Sequence, residues 1–86
     1  MVTFVVHVRR TPETLARVVS LFHRRRVEIE RLTADRADDP KVLCITITVD
    51  MDADQAQRIE TNLYELVDVT LVEKGERGTN VGVPPA

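Results

Sequence analysis

Few residues of this chain have the chemistry to catalyse or to hold a ligand. They are two histidines (His7, His23), one cysteine (Cys44), an acidic turn (Asp35, Asp38, Asp39), an arginine triplet (Arg24–Arg26) and the stretch RRTPETLARV, Arg9 to Val18. A metal centre needs converging nitrogen, thiolate or carboxylate donors. No HxH, HxxxH or CxxC spacing exists, so both histidines read as structural or solvated. Cys44 lies inside the apolar run VLCITITV and reads as a small hydrophobe. To act as a nucleophile it would need a base, and His7 on a neighbouring strand is the one candidate. The acidic turn lacks the glycine and bidentate glutamate of a calcium loop. The arginines crowd a helix end, where positive charge meets the negative end of the dipole and long side chains snorkel into water. RRTPETLARV reads as a helix start: Thr11 is a capping type, Pro12 suits the first helical position, and Glu13 suits the positive dipole end. Whether that turn also cradles a ligand is the question on which function depends.

The elements that must position these residues follow from periodicity. VTFVVHV (Val2–Val8) is β-branched and predicts a strand with Phe4, Val6 and Val8 on one face and Thr3, Val5 and His7 on the other. A helix is expected from about Pro12 to Arg25, with Leu15, Val18, Val19 and Phe22 as its apolar stripe. VEIERLTADR (Val27–Arg36) alternates and then slips, which predicts an edge strand with a bulge. ADDPK (Ala37–Lys41) turns the chain into a third strand, Val42–Val49, whose core face is Leu43, Ile45, Ile47 and Val49. A second helix is expected over Asp52–Leu66, opened by Asp52 and Gln55 at capping-box spacing and buried through Ala56, Ile59 and Leu63. VDVTLVE (Val67–Glu73) predicts the last strand. The order βαββαβ is the ferredoxin-like arrangement, an α+β fold with a four-stranded antiparallel sheet and both helices on one face. The helix-free face is expected to carry Val5, Cys44 and Val72 among polar residues. Residues 1–74 form the domain, and 75–86, with all three glycines and no period, read as a flexible tail.

Composition narrows the function classes. With 86 residues and a net charge of −2, the chain lacks the basic surface of a general nucleic-acid binder, and 3% aromatics make no stacking platform. No stretch approaches the length of a membrane span, and the lone cysteine makes no internal disulfide. A cytoplasmic location is expected. Glycine-rich phosphate loops are absent before Gly75, and no nucleophile, base and oxyanion hole come together. An acylphosphatase is the enzyme alternative on this topology, but its phosphate loop contains glycine where this chain has RRTPET. The chain is expected not to be an enzyme by itself.

LARVVSLFHRRRVEIERLTADRADDPKV resembles the pattern LSRVxxLFxxRGYNIESLTVxxTDDPxx, and LYELVDVTLVE resembles LxKLVDVxxV. Both patterns belong to ACT domains of the small regulatory subunits of acetolactate synthase (acetohydroxyacid synthase), and TPETLARV is closest to their short, single-ACT form. The resemblance runs from about Val5 to Lys74. It implies a partner, a catalytic subunit holding thiamine diphosphate, magnesium and usually FAD, in the first common step of branched-chain amino-acid synthesis. It also implies side-by-side pairing of two copies through an edge strand, which a small core would gain from. In the family an amino-acid effector, often valine, sits at that seam, between the turn after the first strand of one copy and the second strand of its neighbour.

Carried onto this sequence, that cradle comprises Arg10, Thr11, Glu13, Thr14, Leu15, Glu28 and Ile29. The family turn NESGALSRV places its Asn on Arg10, its Gly on Glu13 and the next Ala on Thr14, while YNIESL places an Asn on Glu28 and keeps Ile29. Glu13 blocks the close backbone approach that glycine allows, Glu13 and Glu28 add negative charge, and Pro12 removes a donor. Arg10 offsets part of this by its affinity for carboxylates. The resemblance therefore implies a regulatory subunit with weak or absent valine binding. The alternative is a stand-alone ACT module that senses another small molecule, such as a different amino acid.

Overall fold

The β-branched N-terminal run forms strand β1, Val2–Arg9, one residue longer than expected. Helix α1 spans Pro12–Arg24, strand β2 Ile29–Arg36, strand β3 Val42–Val49, helix α2 Ala53–Tyr64 and strand β4 Val69–Glu76. The structure is a computed structural model and describes residues 1–76. Gly75, where a tail was expected to begin, pairs with Thr3 inside β4, and the rest of that expected tail, residues 77–86, lies outside the described residues.

The strands pair antiparallel in the order β2-β3-β1-β4, so β2 and β4 are the two edges. This is the ferredoxin-like βαββαβ fold. The bulge expected in β2 falls between Ile29 and Arg31. Val2, Phe4, Val6 and Val8 meet Ile45, Ile47 and Val49 on one face. Val18, Leu21 and Phe22 of α1 and Ala56, Ile59 and Leu63 of α2 close over them. The α1 stripe is rotated from expectation: Thr14, Val18, Leu21 and Phe22 are buried, and Leu15 packs only partly against the core. With few aromatics available, Phe4 and Phe22 form a single edge-to-face pair, centroids 5.8 Å apart.

Two expectations for the C-terminal third need correction. Val67 and Asp68 are turn residues, and Val67 is 88% exposed. Val72 belongs to the core face, opposite Val6, and not to the helix-free face with Val5 and Cys44. A register shift between His7 and Val8 is the cause: one extra β4 residue inverts the alternation, so that Val69 and Val72 both pack inward while Leu71 is exposed.

Local signals at the helix ends are largely honoured. Asp52 is the N-cap of α2, and its Oδ1 accepts from the Gln55 N–H at 2.8 Å. At the end of α1, the Arg26 N–H donates to the His23 carbonyl and the Val27 N–H to the Phe22 carbonyl, both at 3.0 Å. This is the Schellman pattern, which requires a left-handed residue just past the cap. That residue is Arg26, at φ 57°. Glycine occupies such a conformation without the clash a Cβ creates. Arg26→Gly is therefore expected to stabilise the fold by about 1 kcal/mol, read as a higher urea midpoint at unchanged slope.

Candidate ligand cradle at the turn after β1

Arg9 ends β1 beside Val42, and the chain turns into α1 through Arg10 and Thr11. The Arg10 N–H donates to the Lys41 carbonyl at 2.8 Å, and one Arg10 guanidinium nitrogen reaches the Pro40 carbonyl at 3.4 Å. The turn is thereby strapped to the β2–β3 hairpin. Arg9, Arg10, Thr11, Pro12, Pro40, Lys41 and Leu43 line an open hollow there. Its three cations make it basic. Pro40, Lys41 and Leu43 were not legible as site residues in the sequence, because only the pairing of Arg9 with Val42 carries the hairpin to the turn.

Thr11 holds the N-cap position in an extended conformation, but its hydroxyl caps no backbone N–H. It bonds instead to the Thr14 hydroxyl at 2.6 Å. Thr14 is 1% exposed, and its hydroxyl also donates to Asp68 Oδ2 at 3.4 Å. Arg17 reaches the same oxygen at 3.2 Å. The network Thr11–Thr14–Asp68–Arg17 ties the start of α1 to the turn before β4, and the Arg9 N–H ties the end of β1 to the same turn by donating to the Asp68 carbonyl at 2.9 Å. Thr14 and Leu15 therefore face inward, whereas Arg10 and Thr11 line the hollow and Glu13 is exposed on the first helical turn. Few backbone donors remain for a carboxylate. The Thr11 N–H is held by the Arg9 carbonyl and the Thr14 N–H by the Thr11 carbonyl, and Pro12 has none.

The other half of the cradle is elsewhere. Ile29 pairs with Val49, which also faces Val2, so it stands at the opposite end of the sheet from Arg9. Seven residue steps along β1 separate the two ends, about 23 Å. Glu28 is exposed just ahead of β2. Within one chain Glu28 and Ile29 do not meet Arg10 and Thr11.

Cys44 stands on the helix-free face between His7 and Asp35 in the pairing register. The Nε2 of His7 is engaged elsewhere, 3.1 Å from Glu73 Oε1. Burial raises the Cys44 pKa above the ordinary thiol value, and the carboxylates of Asp35 and Glu73 raise it further. Alkylation by iodoacetamide at neutral pH is expected to run slower than for a free thiol and to accelerate as pH rises. The raised value favours the neutral thiol in the folded chain. Its stabilising effect is intact below the unfolded thiol pKa and fades as pH climbs toward the folded one. Among the described residues no group of three or more His, Cys, Asp and Glu is placed to hold a metal ion, and no helix is long and apolar enough to cross a membrane.

The ACT domain family pattern matches residues 10–72, from the turn after β1 to β4. The chain belongs to the ACT domain family. Its ACT domain is 46% identical over 55 residues to the acetolactate synthase small subunit of Haemophilus influenzae, covering 64% of this chain and 34% of that protein. It is 39% identical over 67 residues to the acetolactate synthase isozyme 3 small subunit of Escherichia coli, covering 78% of this chain and 41% of that protein. The chain thus spans well under half the length of these relatives. In structure, this ACT domain superposes on the acetolactate synthase small subunit of Thermotoga maritima with a TM-score of 0.82 at 25% identity, over 92% of this chain and 49% of that one. The ACT domain from the GTP pyrophosphokinase of Chlorobium tepidum shares the fold, with a TM-score of 0.73 at 10% identity over 88% of this chain and 85% of that one.

Proposed function

We propose that this ACT domain serves as a non-catalytic regulatory subunit of acetolactate synthase. It binds a catalytic subunit, orders it and raises its activity in branched-chain amino-acid synthesis, in the cytoplasm. The observation that carries this reading is the likeness to acetolactate synthase small subunits, present in sequence and again in structure. Thiamine diphosphate, magnesium and FAD belong, on this reading, to the catalytic partner. Two copies pair antiparallel along β2. That pairing would carry Glu28 and Ile29 of one copy toward Arg10 and Thr11 of the other, because β2 runs from the far end of the sheet to the turn's end. Valine binds weakly or not at all: the turn's N–H groups are largely engaged, and Glu13 and Glu28 oppose a carboxylate.

A second reading rests on the basic hollow formed by Arg9, Arg10 and Lys41. It suits an acidic small molecule, which a stand-alone sensor would bind. One titration separates the two. Acetolactate formation by the same organism's catalytic subunit is followed as this chain is added, with and without valine. A saturable rise indifferent to valine is expected. A rise that valine reverses would keep the regulatory subunit and overturn the vacant cradle. No change in rate would favour the stand-alone sensor.

A further inference from the structure

Both edges of this sheet are eight residues long, and an exposed edge is a template for pairing with another chain. The two edges are not equivalent. The Val72 N–H donates to the Tyr64 hydroxyl oxygen at 3.0 Å, and the Tyr64 hydroxyl donates back to the Val72 carbonyl at 3.1 Å. In an antiparallel ladder a residue directs its N–H and C=O either toward its partner strand or away from it, in alternation. Val72 faces Val6 on β1, but its N–H and C=O are taken by Tyr64, so they point to the outer rim of β4. The phenol thus fills the place where a neighbouring strand would bond. One helical turn earlier on α2, Glu60 Oε1 pairs with Lys74 Nζ at 3.2 Å. Residue 74 is the next position whose backbone points outward. Helix α2 therefore engages two successive outward positions of β4, the first through bonds to its backbone and the second through an ion pair with its side chain. Tyr64 is 48% exposed, a large ring spent on the surface at this rim.

The geometry points to Tyr64 as a guard of the β4 edge, which closes that edge to a strand of a second copy of this chain. The consequence is one of closure. Pairing through β2 is isologous and uses that edge up. A pair joined at β2 still presents two β4 edges, and if these were open, β4-to-β4 pairing would continue the sheet into an unbounded ribbon. A closed β4 edge ends the assembly at two. The inference rests on the proposed β2 pairing only for the size of the wild-type assembly; the guarding of β4 is independent of it.

Tyr64→Phe tests the guard, because it removes the hydroxyl and keeps the ring. Sedimentation velocity over a wide concentration range is compared for the full-length wild type and the variant. The variant is expected to form larger species than the wild type, growing with concentration, whether the wild type itself is a pair or a monomer. A monomeric wild type would refute the β2 pairing and not the guard. Hydrogen exchange of the Val72 amide, followed by NMR under dilute conditions, is expected to quicken about tenfold, the worth of one hydrogen bond. Tyr64→Phe combined with Lys74→Pro places a ring without an N–H at an outward position, which edge strands tolerate. It is expected to return the variant to the wild-type size. Identical sedimentation of wild type and Tyr64→Phe at every concentration would overturn the proposal, as would larger species that the proline does not abolish in a chain whose circular dichroism is unchanged.

Discussion

Phe22→Ala is expected to remove a large share of the stability of the domain. Phe22 is fully buried and meets Phe4 edge-to-face, with ring planes 67° apart. Truncating a buried phenylalanine costs about 3–5 kcal/mol through lost transfer energy and the cavity left behind. A domain of this size holds about 5–15 kcal/mol in total, and each kcal/mol moves the melting temperature by about 4–8 °C. The melt is expected to fall by roughly 15–30 °C or to lose its cooperativity. No second aromatic layer can take up the slack, because Phe4 is the sole ring packed against Phe22 and the rest of the core is aliphatic. Val67→Ala is the control: at 88% exposure it should change stability by less than about 0.5 kcal/mol. Differential scanning calorimetry of the two variants decides it. A shift for Phe22→Ala no larger than that for Val67→Ala would show that the core is not organised around this pair.

The second large effect concerns the cradle. Replacing Glu13 by Gly and Glu28 by Asn removes both carboxylates from the halves that pairing along β2 would bring together. Glycine at 13 also permits the close backbone approach that a bound amino acid requires. Valine is expected to bind the double variant at least about tenfold more tightly than the wild type, which corresponds to about 1.4 kcal/mol. Isothermal titration with valine measures it. Glycine in the first turn of α1 costs up to about 1 kcal/mol of helix stability, so a melting curve accompanies the titration. Glu28→Asn alone should matter only where copies pair, since Glu28 lies at the far end of its own sheet. Affinity unchanged in the double variant would mean that the engaged N–H groups of Thr11 and Thr14, and not charge, keep the cradle vacant. Affinity already strong in the wild type would refute the vacancy outright.

Much of the fold could be read from residue order. Alternation in Phe4, Val6, Val8 and in Ile45, Ile47, Val49 named the core faces of β1 and β3, and both pack as read. The Asp52–Gln55 spacing located the start of α2, and the polar, slipping pattern of β2 marked an edge with a bulge. These signals are local: a capping side chain bonds three residues away, and a strand face shows itself within four. The LFxxRG pattern quoted for the family carries glycine at the step where this chain has Arg26. The structure shows why glycine suits that step, since the residue there is left-handed.

The rest was decided by contacts between residues far apart in sequence. The β4 bulge depends on how Val69–Val72 meets His7 and Val8, and no alternation within β4 announces it. The sequence places Thr14 on the first turn of α1, and only the fold brings Asp68, 54 positions away, to accept its hydroxyl. Lys41 and Pro40 reach the turn after β1 only through the Arg9–Val42 pairing. Tyr64 read as one more residue of α2, and its two bonds to the backbone of Val72 exist only because β4 folds back beneath that helix. Periodicity and capping chemistry act over one or two turns of chain and so are written into the order of residues. The register of distant strands and the pairing of remote side chains come from the packing of the whole sheet, and the hollow at the turn and the guarded edge of β4 are made there.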